Sequence, residues 1–268
     1  MHIRRLGWAG LELTSDTTTI AIDLFEDMGP LRPFVGEAHE PLPPPGRPLD
    51  GALVTHLHSD HADPAALARA LGPAPAAPVL RPAASAGAGL EVAGTFAAEA
   101  GFAEHGLAAE AVAPWDRRAI GPFTVTAVPA VDGFGDPQVS WVVEADGRRV
   151  LHAGDTMFHG AWWPIAMRLG PIDIAFLPVN GPVCDLPHRQ PPSPLAVAMG
   201  PREAAVAAHL LGARVAVPIH YGAIHHPPAY AQVDDPAGAF AAEGARLGLT
   251  VQVVGAGEDV AWPVAAPA

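Results

Sequence analysis

Four side chains able to bind a metal, His56, His58, Asp60 and His61, fall within the short stretch Thr55-His56-Leu57-His58-Ser59-Asp60-His61. They follow the apolar, β-prone run Gly51-Ala52-Leu53-Val54-Thr55, and so many polar groups are costly for the end of a core strand to satisfy with protein partners alone. In an extended segment, residues two apart point to one side, so His56 and His58 can close on one ion. Asp60 and His61 come after the strand has ended, where a turn can aim them at a second ion. Imidazole nitrogen and carboxylate oxygen are both ordinary zinc ligands. The bland alternative is a His-rich surface turn.

The elements that must position these groups are marked by turn and cap residues. Asp63 suits an N-cap and Pro64 the first helical position of the run Ala65 to Leu71, so the cluster lies on a strand-to-helix loop. The strand Pro122 to Pro129 ends in Ala130-Val131-Asp132-Gly133. Val139 to Glu144 and Arg149 to His152 flank Asp146-Gly147, a strong hairpin signal. The second of these strands runs into Ala153-Gly154-Asp155-Thr156, where Asp155 is either a carboxylate placed to bridge two metals or a turn-forming residue. Ile172 to Pro178 reads as a buried strand entering a loop at Val179-Asn180-Gly181, and the strand from Arg214 delivers His220 at its C-terminal end. Upstream, Ile3 to Leu13 and Thr17 to Leu24 are expected as two strands. Asp23, ending the second, is a group near the site or a simple turn residue. Phe25 to Asp50, rich in proline, reads as a loop. Further helices are expected around Thr95 to Glu104, Glu203 to Leu211 and Pro236 to Leu247, with short strands at Pro78 to Leu80, Leu107 to Ala113, Thr250 to Val254 and Asp259 to Trp262.

Composition narrows the function classes. Half of the 268 residues are hydrophobic, enough for a sizeable core, while 28 Gly and 31 Pro imply many turns. All 15 basic residues are Arg, which removes the Schiff-base and P-loop chemistry that needs a lysine amine. The net charge of −13, with basic residues never clustered beyond pairs, argues against binding long nucleic acid and suits a protein that concentrates a divalent cation. Cys184 is the single cysteine, so no intrachain disulfide forms. Arg4-Arg5 lacks a following apolar stretch of the kind a secretion signal carries, and nothing approaches a membrane span. A cytoplasmic protein with no membrane partner is expected, and homo-oligomerisation stays open.

The order of these motifs, HxHxDH at His56 to His61, then Gly154-Asp155-Thr156, then Pro218-Ile219-His220-Tyr221-Gly222, resembles the metallo-β-lactamase-fold hydrolase superfamily. Leu6-Gly7-Trp8-Ala9-Gly10, His152-Ala153-Gly154-Asp155-Thr156 and Met199 to Ala205 are similar to its branch of ascorbate-6-phosphate lactonase-like proteins. The likeness covers nearly the whole chain and implies one domain over residues 1–268. That domain would be an α/β fold, an αββα four-layer sandwich of two mixed β-sheets with helices outside. It implies two divalent metal ions, with His56 and His58 on the first, Asp60, His61 and His220 on the second, and Asp155 bridging. The family's remaining ligand to the first metal is usually a His; here Asp132 stands in that place. As a ligand, Asp132 makes the first site harder and opens it to Mn2+ or Fe2+ as well as Zn2+; otherwise that site is weak or empty.

The activity implied is cleavage of a small ester, lactone or phosphoester by metal-bound hydroxide, with Asp60 orienting the nucleophile and shuttling its proton. The alternatives are a phosphodiesterase or nuclease acting on short or cyclic nucleotides, and a non-catalytic metal-binding or ligand-sensing protein with a degenerate first site. His152, Asn180, His188, His225 and His226 are candidates for touching substrate or holding a ligand in place. Surface or structural roles are the alternative for each.

Overall fold

The computed structural model describes residues 1–72, 77–84, 90–187 and 189–263. One six-stranded sheet has the order β1 (His2–Arg5), β2 (Leu11–Ser15), β3 (Thr18–Ile22), β4 (Gly51–Leu53), β5 (Val79–Arg81) and β6 (Ala109–Ala111). Its first three strands are antiparallel, and β3 to β6 run parallel. The other sheet carries β7 (Arg117–Ile120), β8 (Phe123–Pro129), β9 (Val139–Ala145), β10 (Arg148–His152), β11 (Ile174–Pro178) and β13 (Val215–Ile219). Its order is β13-β11-β10-β9-β8-β7, antiparallel from β7 to β10 and parallel across β10, β11 and β13. A two-stranded ribbon pairs β12 (Val183–Cys184) with β14 (Tyr230–Ala231).

Strand alternation sorts the side chains into layers. Ile174 and Phe176 of β11, with Val215, Val217 and Ile219 of β13, point between the sheets against Leu11, Leu13, Ile20 and Ile22. Their neighbours Ala175, Leu177 and Ala216 face the other way. There they meet α4 (Trp162–Leu169), α5 (Pro201–Leu210) and α6 (Pro236–Arg246). On the opposite outer face Ala52, Val54 and Val79 pack against α2 (Pro64–Leu71) and α3 (Leu90–Glu104). This is the αββα sandwich, with both sheets mixed. A short α1 (Arg32–Val35) follows a 3-10 turn at Gly29–Leu31. No helix among the described residues is long and apolar enough to cross a membrane.

Most expected elements are present, and the departures have physical reasons. Asp63 caps α2 by accepting from the Ala66 amide, and Pro64 opens it. Asp146 and Gly147, both at positive φ, close the β9–β10 hairpin. Ile3 to Leu13 is not one strand: it breaks at Leu6 to Gly10, where the Leu6 amide donates to the Gly10 carbonyl and the Gly10 amide to Gly7. The strands expected at the C-terminal end reduce to single bridges, Ala216 with Val251 and Arg4 with Asp259. β7 and α4 were not expected; in α4, Trp162 is buried in the core while Trp163 is 52% exposed.

Candidate metal centre

The parallel strands of both sheets, and β8 of the antiparallel part, deliver their C-terminal ends to one edge, the usual place for a ligand in such sheets. Asp23 follows β3, the His56 to His61 loop follows β4, Asp132 follows β8, Asp155 follows β10, Asn180 follows β11 and His220 follows β13. The structure brings the seven candidate ligands together in two groups. His56, His58, Asp132 and Asp155 form one and Asp60, His61 and His220 the other, with ligand atoms in each within 4.8 Å of one another. Asp155 touches both: Oδ1 is 3.6 Å from His56 Nε2, while Oδ2 is 3.9 Å from His61 Nε2 and 3.8 Å from His220 Nε2.

Each imidazole has one nitrogen tied down and the other turned inward. His56 Nδ1 meets the Thr55 hydroxyl at 3.1 Å, His58 Nε2 meets Asp136 at 3.0 Å, His61 Nδ1 meets Asp23 at 2.7 Å and His220 Nδ1 meets Asn180 Oδ1 at 3.1 Å. Asp23 also accepts from the Thr55 hydroxyl and amide, so this one wholly buried carboxylate steadies His61 directly and His56 through Thr55. Inward, His61 Nε2 and His220 Nε2 are buried without any hydrogen-bond partner. His56 Nε2 and His58 Nδ1 face each other at 2.9 Å. With both outer nitrogens donating, these are two opposed lone pairs, an arrangement a cation or a shared proton relieves.

The donor set fits metal ions. Ligands around a four-coordinate ion at about 2.1 Å sit roughly 3.4 Å apart. The contacts His61 Nε2 to Asp60 Oδ2, 3.5 Å, His220 Nε2 to Asp60 Oδ2, 3.6 Å, and His58 Nδ1 to Asp132 Oδ1, 3.8 Å, are of that size. Asp132 spends Oδ2 on the amides of Phe134 and Asp136, which leaves Oδ1 toward His58. The side chains of His58, Asp60 and Asp155 each keep 14% exposure while the other candidate ligands are closed off, so a substrate would reach the group past these three.

Charge coupling among these groups is strong. Burial opposes the charged form of Asp60, but His61, His220 and His56 outweigh it and hold the carboxyl well below its ordinary range. Burial likewise works against His61 and His58, yet the carboxylates win and raise them, to about 10 through Asp60, Asp23 and Asp155, and to about 9 through Asp136 and Asp132. His56 goes down, from burial and then from its cationic neighbours His61 and His58. Asp132 is pushed up to about 6 by burial, against the pull of His58.

The remaining candidates lie elsewhere. Asn180 is in place behind His220. His152 donates from Nε2 to the Ala9 carbonyl and accepts the Gly154 amide at Nδ1, so it ties the turn that carries Asp155 to the Leu6 to Gly10 loop. His225 and His226 are exposed; the His225 carbonyl is 3.3 Å from His39 Nε2, and His226 pairs through its backbone with Tyr230. His188 lies outside the described residues. Sequence reasoning missed three residues: Asp136 behind His58, Gln138, which donates to Asp155 Oδ1 at 2.7 Å, and Trp8, whose indole donates to Asp60 Oδ2 at 3.0 Å. Only Trp8 carried any signal, as part of the Leu6 to Gly10 motif.

Comparison with known proteins identifies the family. The family model for the beta-lactamase superfamily domain matches residues 18–221, a span that contains all seven candidate ligands. A UPF0173 metal-dependent hydrolase of Opitutus terrae is 31% identical over 242 residues, covering 85% of this chain and 89% of its own. One from Deinococcus radiodurans is 29% identical over 269 residues, covering 96% and 98%. Among solved structures, the metallo hydrolase Igni18 of Ignicoccus hospitalis has a TM-score of 0.65 at 20% identity, covering 97% of both chains. The isothiocyanate hydrolase from Delia radicum gut bacteria has a TM-score of 0.68 at 17% identity, covering 98% of this chain and 100% of its own. At such identities the two structures speak for the fold alone. The family match and the Opitutus relative carry the assignment, and the chain belongs to the metallo-β-lactamase superfamily.

Proposed function

We propose that this protein is a metal-dependent hydrolase that holds two divalent cations and cleaves a small ester, lactone or phosphoester. One observation carries the reading. Four imidazoles are each locked by an outer hydrogen bond with the inner nitrogen turned to a common space, and two of those inner nitrogens are buried with no hydrogen-bond partner, facing carboxylates at 3.5–3.9 Å. Buried polar groups are usually hydrogen-bonded; what sets these two apart is that they face the same carboxylates, and locking the far nitrogen is what fixes a metal-binding tautomer.

His56, His58 and Asp132 would hold one ion, Asp60, His61 and His220 the other, with Asp155 between. Zn2+ suits the set, and the Asp132 carboxylate extends it to Mn2+ or Fe2+. Such a pair supplies Lewis acidity and lowers the pKa of coordinated water from about 16 toward about 7. The chain's own residues do the rest. Asp60, held by Trp8 through Oδ2, would take the proton of the attacking water and return it to the leaving group. Gln138 steadies Asp155, and the closed packing around His56, His61 and His220 keeps bulk water from competing for their inner nitrogens.

A panel of lactones, aryl esters and bis-aryl phosphodiesters tests the reading. Turnover on at least one class is expected, falling by two orders of magnitude or more in both Asp60→Asn and His58→Ala. Activity unchanged in both variants would locate the chemistry elsewhere. Turnover confined to the phosphodiesters would favour the short-nucleotide alternative.

A further inference from the structure

The carboxylate to which the reading above gives the proton work accepts a hydrogen bond from the Trp8 indole, which comes from the loop between β1 and β2. Trp8 is completely buried although it belongs to neither strand. Its φ of 43° lies in the left-handed region, where a bulky residue is rare and persists only when its surroundings over-determine it. Here they do. The neighbouring Gly7, at φ 81°, packs so closely that a Cβ there would meet the Pro41 carbonyl at 2.5 Å. The Ala9 carbonyl is held by His152, and the Trp8 carbonyl accepts the His220 amide at 2.9 Å.

Backbone strain of this kind gathers where a side chain must be aimed. The Trp8 side chain has two targets. Its Nε1–H donates to Asp60 Oδ2, the same oxygen that faces His61 Nε2 and His220 Nε2, and its ring lies 4.0 Å, centroid to centroid, from that of His220. Asp23 and His220 share the left-handed conformation, so three of the seven non-glycine residues with positive φ among the described residues meet at this one group.

We propose that Trp8 is a positioning residue for the Asp60, His61 and His220 group: its indole N–H sets the Asp60 carboxylate so that this group can hold its cation. The proposal rests on the metal-dependent reading above and goes beyond it by assigning the function to one hydrogen-bond donor. The benzo ring is packing. The N–H is the working part.

The test separates the two. Trp8→Phe keeps an aromatic ring and removes the donor. Trp8→His places Nε2–H at the corresponding position of a five-membered ring, removes the benzo portion, and uses a residue type that tolerates positive φ. Wild type and both variants, stripped of metal, are titrated with Zn2+ against a chromophoric chelator, with thermal unfolding recorded for each. The expected result is two equivalents for wild type and about 10- to 100-fold weaker binding of one equivalent in Trp8→Phe, the usual effect of losing a residue that orients a ligand. The other equivalent stays within about threefold, and Trp8→His returns both to within about threefold of wild type. Equal, wild-type-like binding in both variants overturns the proposal. So does equal weakening in both, because the ring bulk would then be what matters. Should Trp8→Phe fail to fold, Trp8→His decides alone: near-wild-type binding supports the role of the N–H, and a tenfold loss refutes it. Wild type that binds no Zn2+ is a different failure, that of the hydrolase reading itself.

Discussion

In the metal-free protein the four imidazoles do not share one protonation state. His58, raised to about 9, and His61, raised to about 10, hold their protons at neutral pH, while buried His56 is driven the other way. A cation entering the site must therefore displace protons from His58 and His61. Since protons compete with metal at both, apparent affinity should climb as pH rises from about 6 to about 10, then level off. Calorimetry of Zn2+ binding at pH 7 in buffers of different ionisation enthalpy should show close to two protons released, and clearly fewer at pH 10. Affinity independent of pH across that window would contradict the account. The residues proposed as ligands could be picked out in the sequence, because each follows a recognisable strand and the HxHxDH spacing is local. Their holders could not. Asp136, Trp8 and Gln138 reach their partners across 78, 52 and 17 residues of chain, and no local pattern marks such contacts.

Among the elements, the two sheets are packed by apolar side chains over most of their facing surfaces but are stitched by hydrogen bonds at the metal edge. The Val139 amide donates to the Thr55 carbonyl, Trp141 Nε1 to the Val54 carbonyl, His152 to Ala9 and the His220 amide to Trp8. These bonds fix the spacing between strand ends that come from different sheets, and so set the distance between ligands. Trp141→Phe would leave the buried Val54 carbonyl without this donor, at a cost of about 1–3 kcal/mol in urea unfolding, and should weaken Zn2+ binding as well. Ile174→Val, in the same core at the far end of β11, should cost about 0.5–1.5 kcal/mol and leave Zn2+ binding unchanged. Weakened metal binding in both, in proportion to stability, would mean that general packing and not the stitching sets the site. The strands were readable from alternation and turns. The break at Leu6 to Gly10 was not, because the run stays apolar while its backbone folds on itself to aim Trp8.

For the molecule as a whole, two mixed sheets in one sandwich send the ends of β3, β4, β10, β11 and β13 to a common edge, and residues far apart in the chain assemble there. Periodicity located strands without saying which sheet each would join; the resemblance carried by the motif order implied only the overall sandwich of two mixed sheets, and the family match over residues 18–221 agrees with that fold. The acidic balance of the chain, −13, suits a protein that attracts divalent cations. Asp132 is where the sequence departs from the usual ligand pattern, and it sits 3.8 Å from His58 with one oxygen committed to backbone amides. The claim that two cations are held by these seven residues is tested most directly by the metal content of protein purified without chelator, measured by mass spectrometry alongside Asp132→Ala. The account predicts close to two equivalents of divalent transition metal in wild type and close to one in the variant. Less than one equivalent in wild type, or two in Asp132→Ala, would contradict it.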